Sequence, residues 1–201
     1  MNLFKYAIEY KNSWNKSGFP TPLLDWLLVS RLKNLLGGRV VSLFCGGAPL
    51  LADTQAFTRA AFGVVLGQAW ALTECTACAT VTDAHDFSDG RCGAPTFTTQ
   101  VRLRDWEEGG YKATDKPRPR GELILGGRTI TAGYYKRPQE TEEAFEVDGD
   151  GVRWLASGDI GEIYPDGTIK VIDRKKDLVK LQHGEYISLG KVSDSLNLSN
   201  I

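Results

Sequence analysis

Two short stretches carry the residues best suited to chemistry. In Ser157-Gly158-Asp159 a carboxylate follows a glycine. The glycine lets the backbone turn sharply, and the carboxylate then offers two acceptor oxygens to a pair of neighbouring hydroxyls such as a ribose carries. Further along, Asp173-Arg174-Lys175-Lys176-Asp177 concentrates charge between apolar, strand-like residues. The run is too polar for an apolar core and suits a hinge between packed units. Either stretch alone also reads as a solvated turn or a solvated charged face.

Other elements must bring these side chains to one place. Ile160, Ile163 and Tyr164 precede the turn residues Pro165, Asp166 and Gly167, and Ile169, Val171 and Ile172 follow them. That pattern predicts a hairpin of two short strands just after Asp159. Upstream, residues 39–44 and 63–67 are short apolar runs that predict strands of a parallel sheet, the first buried on both faces. Gly46, Gly47, Ala48 and Pro49 lie at the carboxyl end of the first run. Open α/β sheets take ligands there, and the glycines would let a ligand approach the backbone; a tight strand-to-helix turn accounts for the same residues.

Helical spacing predicts an amphipathic helix through Leu3, Tyr6, Ala7 and Tyr10. A second runs from about Leu23 through Leu24, Leu27, Leu28, Leu32, Leu35 and Leu36 to Gly37-Gly38, and a third spans residues 52–62. From Gly93 the texture changes to short strands, at 100–104 and 121–126, followed by a short helix over 138–145.

Composition narrows the classes. With 201 residues, 42% hydrophobic and 24% charged, the chain is globular in kind. Its 24 basic and 25 acidic residues leave a net charge of -1, so no broad field draws nucleic acid. Cys45, Cys75, Cys78 and Cys92 make no disulfide framework, and Cys75-x-x-Cys78 lacks the second pair of a metal site. No cleavable signal and no membrane-spanning run is found, so a soluble or peripheral chain on the cytoplasmic side is expected. His85 and His183 form no Ser-His-Asp or His-x-x-x-His arrangement, which removes hydrolase and metalloprotease chemistry. A dehydrogenase falls for want of a G-x-G-x-x-G turn.

The segment from Trp154 to Val192, WLASGDIGEIYPDGTIKVIDRKKDLVKLQHGEYISLGKV, resembles the signature region of the long-chain fatty-acid–CoA ligases of the adenylate-forming, or AMP-binding, superfamily. The stretch from Gln68 to Glu74 and GELILGGRTITAGYY, Gly121 to Tyr135, resemble two further motifs of that superfamily. The resemblance implies that Asp159 holds the ribose hydroxyls of ATP and that Arg174 contacts ribose and phosphate. It puts Lys176 at the hinge about which a small C-terminal domain swings, and Lys180 in the thioester-forming arrangement. Trp70 is implied to stack on adenine, Thr73 to contact the phosphates, and Glu74, with Thr73 beside it, to bind magnesium. An indole gives adenine a flat apolar partner, and a hard cation bridging phosphates wants a carboxylate oxygen.

The same resemblance implies an α/β chain, a partial adenylate-forming-enzyme fold. It would comprise a parallel-sheet portion of the large domain (1–92), a β-rich subdomain (93–173), the hinge and start of the C-terminal domain (174–192) and a divergent tail (193–201). ATP, magnesium and coenzyme A would serve as cofactor and co-substrates and a fatty acid as substrate, with no nucleic-acid partner. Membrane association would be peripheral, through parts absent here, at the endoplasmic reticulum, mitochondrial outer membrane, peroxisome or lipid droplet. MNLF, GGRV, GGAPL, EEGGY and DRKKDLVKLQ look most like the animal branch that includes the arachidonate-preferring ligases. The sequence departs from the family at Ala69 and Ala71, where glycine is usual. It also lacks the Ser/Thr/Gly-rich phosphate loop and the C-terminal lysine of the adenylation step. A fragment incomplete at both ends is therefore expected, either a truncated ligase or a non-catalytic module that binds nucleotide weakly or pairs with other chains.

Overall fold

The computed structural model describes residues 3–48, 50–180 and 186–188. The expected tail at 193–201 and most of the segment after Lys180 lie outside the described residues. The chain divides into two units, Met1–Ala69 with Val81–Gly93, and Trp70–Thr80 with Ala94–Ile201.

In the first unit, α1 (Leu3–Lys16) turns Phe4, Ile8 and Lys11 inward. Leu3, Tyr6 and Tyr10, expected on the core side, are exposed instead. The inward stripe includes a lysine, which hydropathy spacing discounts. Lys11 is 3% exposed, and Asp25 Oδ1 accepts from its ammonium at 2.5 Å and Thr21 Oγ1 at 3.2 Å, pairing without which a buried cation would be costly.

The second predicted helix is one run with a wider turn inside it. α2 (Pro22–Leu24) passes into a π-helical stretch (Asp25–Val29) and then α3 (Ser30–Leu35). Pro22 sits in the first turn, where its missing N–H leaves nothing unpaired. The run closes at Gly37 and Gly38 as the sequence suggests. α4 (Ala52–Phe62) ends at Gly63, whose φ is 57° and where a Cβ would come within 2.6 Å of Val29. Ile8, Ala60 and Ala61 form the core of this unit, with Phe4, Leu32 and Phe62 against it.

β1 (Ser42–Gly46) pairs in parallel with β2 (Val65–Leu72), Ser42 opposite Val65 and Gly46 opposite Ala69. The expectation that the first strand is buried on both faces is corrected: Phe44 is 66% exposed. β1 is the edge of its sheet, and its apolar run lies over Gly67, where a Cβ would meet the Phe44 ring at 2.9 Å. Gln55, fully buried, accepts from Gln68 Nε2 at 2.6 Å and from the Gly90 backbone at 2.7 Å, while Arg59 pairs with Asp89 at 2.8 Å. These bonds stitch the loop before Gly93 to α4.

The second unit carries the short strands β3 (Ala77–Val81) and β4 (Ala94–Pro95), with Thr96 N donating to Ala79 O at 3.0 Å. Then follow β5 (Thr99–Arg104), β6 (Arg120–Gly127), α5 (Pro138–Ala144), β7 (Phe145–Val147), β8 (Arg153–Ile163) and β9 (Ile169–Arg174). The five strands make an antiparallel sheet in the order β5-β6-β8-β7, with β9 also on β8. Leu123, Leu125, Leu155, Ile160 and Ile169 are almost fully buried in it. Phe145 belongs to β7, since the helix expected to reach it stops one residue earlier. The hairpin forms at Pro165 to Gly167, but β8 is much longer than expected and contains Asp159. After β9 come a tight turn (Lys175–Asp177) and β10 (Leu178–Lys180), which pairs with β11 (Tyr186–Ser188).

Candidate active site

β8 does not run straight past β6. Ile124 stands opposite Ala156 and Glu122 opposite Ile160, so Ser157, Gly158 and Asp159 bulge against the single residue Leu123. Ser157 Oγ donates to Leu123 O at 2.6 Å and accepts from Asp159 N at 3.1 Å. Gly158, at φ 74°, donates its N–H to Glu122 Oε1 at 3.2 Å. A bulge re-aims the side chain that follows it. Here that side chain is Asp159, opposite Arg174 of β9.

Asp159 and Arg174 therefore meet, with Arg174 Nε 3.1 Å from Oδ1. The other oxygen, Oδ2, accepts the indole N–H of Trp70 at 2.8 Å. The carboxylate side chain is 8% exposed and the arginine 51%, so much of the guanidinium remains open to solvent. Burial pushes the Asp159 carboxyl above its ordinary range. The Trp70 hydrogen bond and the Arg174 charge oppose that rise, and the charges of Asp177 and Glu74 add to it. Three carboxylates thus share one field that a cation or a set of hydroxyl donors would relieve.

Trp70 ends up at this point because β2 runs on through it instead of stopping near Gly67. The indole is 7% exposed and tied to Asp159. Glu74 follows in a short turn (Thr73–Cys75), with Thr73 exposed beside it. Its backbone O accepts from Thr131 N at 2.9 Å, and its Oε1 accepts the Tyr134 hydroxyl at 2.7 Å. Burial and the adjacent Glu74 push the Tyr134 phenol up to about 12. Among the described residues no group of three or more His, Cys, Asp or Glu could hold a metal. A magnesium ion shared with phosphates needs only one such carboxylate, its other ligands being phosphate oxygens and water. Glu74 fits that demand, with one of its two oxygens held by tyrosine.

The charged run, expected to be too polar for a core and to form a hinge, is partly buried. Asp173 is 7% exposed and accepts the Tyr111 hydroxyl at 3.0 Å. Lys175 reaches Glu122 Oε2 at 2.7 Å, where Arg104 also binds through Nε (2.9 Å) and Nη2 (2.7 Å). Tyr111 stacks on Trp106 with ring centres 6.1 Å apart, and Lys175 Nζ lies 5.5 Å from the Trp106 ring. Tyr186 packs edge-on against the same indole at 5.5 Å, its hydroxyl 3.2 Å from Glu108. Lys176 is exposed in the tight turn, and Lys180 ends β10 with Nζ 5.6 Å from the Tyr186 ring.

Gly46, Gly47 and Ala48 belong to the first unit, where Gly46 ends β1 and Gly47 takes φ 83°. Pro49 lies outside the described residues. Sequence reasoning missed Glu122, Lys175 and Tyr134. For Glu122 a signal existed, namely one acid inside the apolar strand GELILGG.

The chain is of the α/β class, with an antiparallel sheet whose bulge pairs a buried carboxylate with a half-open guanidinium. Its family follows from comparison. A family model described as AMP-binding enzyme matches residues 13–135, and the chain belongs to that family. Asp159 and Arg174 lie beyond the matched stretch. The chain is 48% identical over 204 residues to Long chain acyl-CoA synthetase 8 of Arabidopsis thaliana, covering 98% of this chain and 28% of that protein. It is 38% identical to Fatty acyl-CoA synthetase A of Dictyostelium discoideum, over 92% of this chain and 27% of the relative. The A domain of carboxylic acid reductase from Segniliparus rugosus, solved with AMP and a co-purified carboxylic acid, superposes with a TM-score of 0.67 at 30% identity. That match covers 94% of this chain and 28% of the reductase chain. The chain thus spans little more than a quarter of the length of these relatives.

Proposed function

We propose that the chain is the nucleotide-gripping part of a long-chain fatty-acid–CoA ligase. In the reaction assigned, a fatty-acid carboxylate oxygen attacks the α-phosphorus of ATP, and the bond to the bridging oxygen breaks to release pyrophosphate. The thiolate of coenzyme A then attacks the acyl carbon and AMP leaves. The observation that carries this reading is the convergence of Asp159 and Arg174 at the β8 bulge, supported by the names of the relatives.

Asp159 accepts the two ribose hydroxyls with lone pairs not directed at Trp70 and Arg174, and the open part of Arg174 reaches a phosphate oxygen. Trp70 orients Asp159 through its N–H, and its stacking on adenine rests on the sequence resemblance alone. Glu74, steadied by Tyr134, would hold magnesium with Thr73 beside it, and that ion would supply charge neutralisation at the phosphates. A nucleotide-binding role for Gly46, Gly47, Ala48 and Pro49 rests on their sequence motif alone; Lys176 marks the turning point of a following domain, and Lys180 serves the thioester step. Likeness to the animal branch that includes the arachidonate-preferring ligases rests on the sequence motifs, and peripheral membrane association on the family resemblance. No helix among the described residues is long and apolar enough to cross a membrane.

Exchange of radiolabelled pyrophosphate into ATP by the purified chain, with palmitate or arachidonate, tests turnover. AMP binding by calorimetry tests the site. Asp159→Ala is expected to weaken AMP by about 1 to 3 kcal/mol, the scale of hydrogen bonds to a charged group. Unchanged affinity would remove Asp159 from the site.

A further inference from the structure

We propose that Glu122 is the positioning residue of this site, its one carboxylate bonded to the backbone of the residue before Asp159 and to the side chain of the residue after Arg174. The inference rests on the nucleotide reading above for what the pair binds, and on geometry alone for what aims the pair. Glu122 is 2% exposed. Its Oε1 receives the N–H of Gly158, the residue before Asp159, and its Oε2 receives the ammonium of Lys175, the residue after Arg174. Arg104 closes the cluster on the same Oε2.

A leucine at position 122 would fill the strand as well. Of the three charges only Glu122 is buried, Lys175 being 29% and Arg104 50% exposed. What an apolar residue cannot supply is direction. The bond to Gly158 holds the bulge open at the point where β8 redirects Asp159, and the bond to Lys175 pins the strand end that carries Arg174. Released from Glu122, each could relax independently, and the 3.1 Å pairing between them would lose its frame.

Two measurements on the 201-residue chain test this. The first needs no ligand. In a nitrogen–proton correlation spectrum the Trp70 indole N–H reports on Asp159, and the Arg174 Nε–H reports on the pair. Trp154 donates its indole N–H to Asp148 at 2.7 Å on the same unit and serves as control. Glu122→Gln is expected to move the Trp70 and Arg174 signals and leave Trp154 in place. Lys175→Met is expected to do the same in the event that Glu122→Gln does not fold. Unmoved Trp70 and Arg174 signals, or a Trp154 signal that moves as far, would overturn the proposal.

The second measurement is an AMP titration of wild type, Glu122→Gln, Asp159→Asn and the double variant. Each single change is expected to weaken AMP about tenfold, and the double variant to lie within about twofold of Asp159→Asn, because residues acting through one another are not additive. Multiplied losses, or wild-type affinity in Glu122→Gln, would refute the positioning role. If the wild-type chain binds no AMP, the nucleotide reading fails for this chain, and the spectra still decide whether Glu122 aims Asp159.

Discussion

Tyr134 and Glu74 show how much one neighbour changes a side chain's chemistry. Ionising Tyr134 would set a phenolate against a carboxylate 2.7 Å away, and burial adds to the cost. Tyr111 is held up to about 12 mainly by burial, with Asp173 contributing. An ultraviolet titration should therefore find Tyr111 and Tyr134 ionising late, and Glu74→Gln should return Tyr134 toward the ordinary value near 10. Asp159 behaves in the opposite functional sense. Its raised carboxyl favours the protonated form in the folded chain, so its contribution to stability is fully present below the ordinary value of 3.8 and is lost as pH rises through the folded one. Asp159→Asn should then be the more urea-resistant protein at neutral pH while binding AMP less well. AMP affinity of the wild type should decline on acidification from a higher pH than an ordinary aspartate gives.

Asp159 and Arg174 were singled out by the family resemblance of the segment that holds them, and the fold brings the two side chains together. Glu122 and Tyr134 were not legible in the sequence, because their meaning comes from partners far away in the chain. Glu122 meets residues 36 and 53 positions on, and Tyr134 meets one 60 positions back.

At the scale of elements, periodicity located most strands and helices but misjudged which faces they hide. The α1 stripe contains a buried lysine that only Asp25 and Thr21 explain, and β1 reads as a core strand because hydropathy cannot tell a sheet edge from its centre. The bulge in β8 was read as a turn ahead of a hairpin. Its glycine was the right clue, and the pairing with β6 on one side and β9 on the other was out of reach without the fold. Gly158 has open space where a Cβ would sit, so only its φ of 74° opposes a side chain. Gly158→Ala should cost about 1 kcal/mol in a urea unfolding curve, the penalty of a left-handed residue, with no loss of packing. A much larger cost would mean that the bulge is filled.

Across the whole chain, acid should act on the second unit through the charge cluster at Glu122. Burial is the largest single influence on Glu122 and raises it, but the hydrogen bonds and charges of Lys175 and Arg104 outweigh burial and leave the carboxyl below its ordinary range. A lowered carboxyl contributes stability above the ordinary value of 4.5 that is lost as pH falls through the folded value. Protonation there weakens the pairing of Lys175, 29% exposed, and of Arg104, 50% exposed. Near-ultraviolet circular dichroism against pH should show a steep acid transition in the wild type and a flatter one in Glu122→Gln.

The packing around Trp106 has an optical side. Its indole has Tyr111 on one face, Tyr186 of β11 at its edge and an ammonium 5.5 Å from its ring. Tryptophan emission responds to such neighbours, and Tyr186 lies on the far side of the turn that bears Lys176. The chain therefore carries a native fluorophore beside the turn after β9, one whose brightness and colour would register any departure of β10 and β11 without a dye being attached.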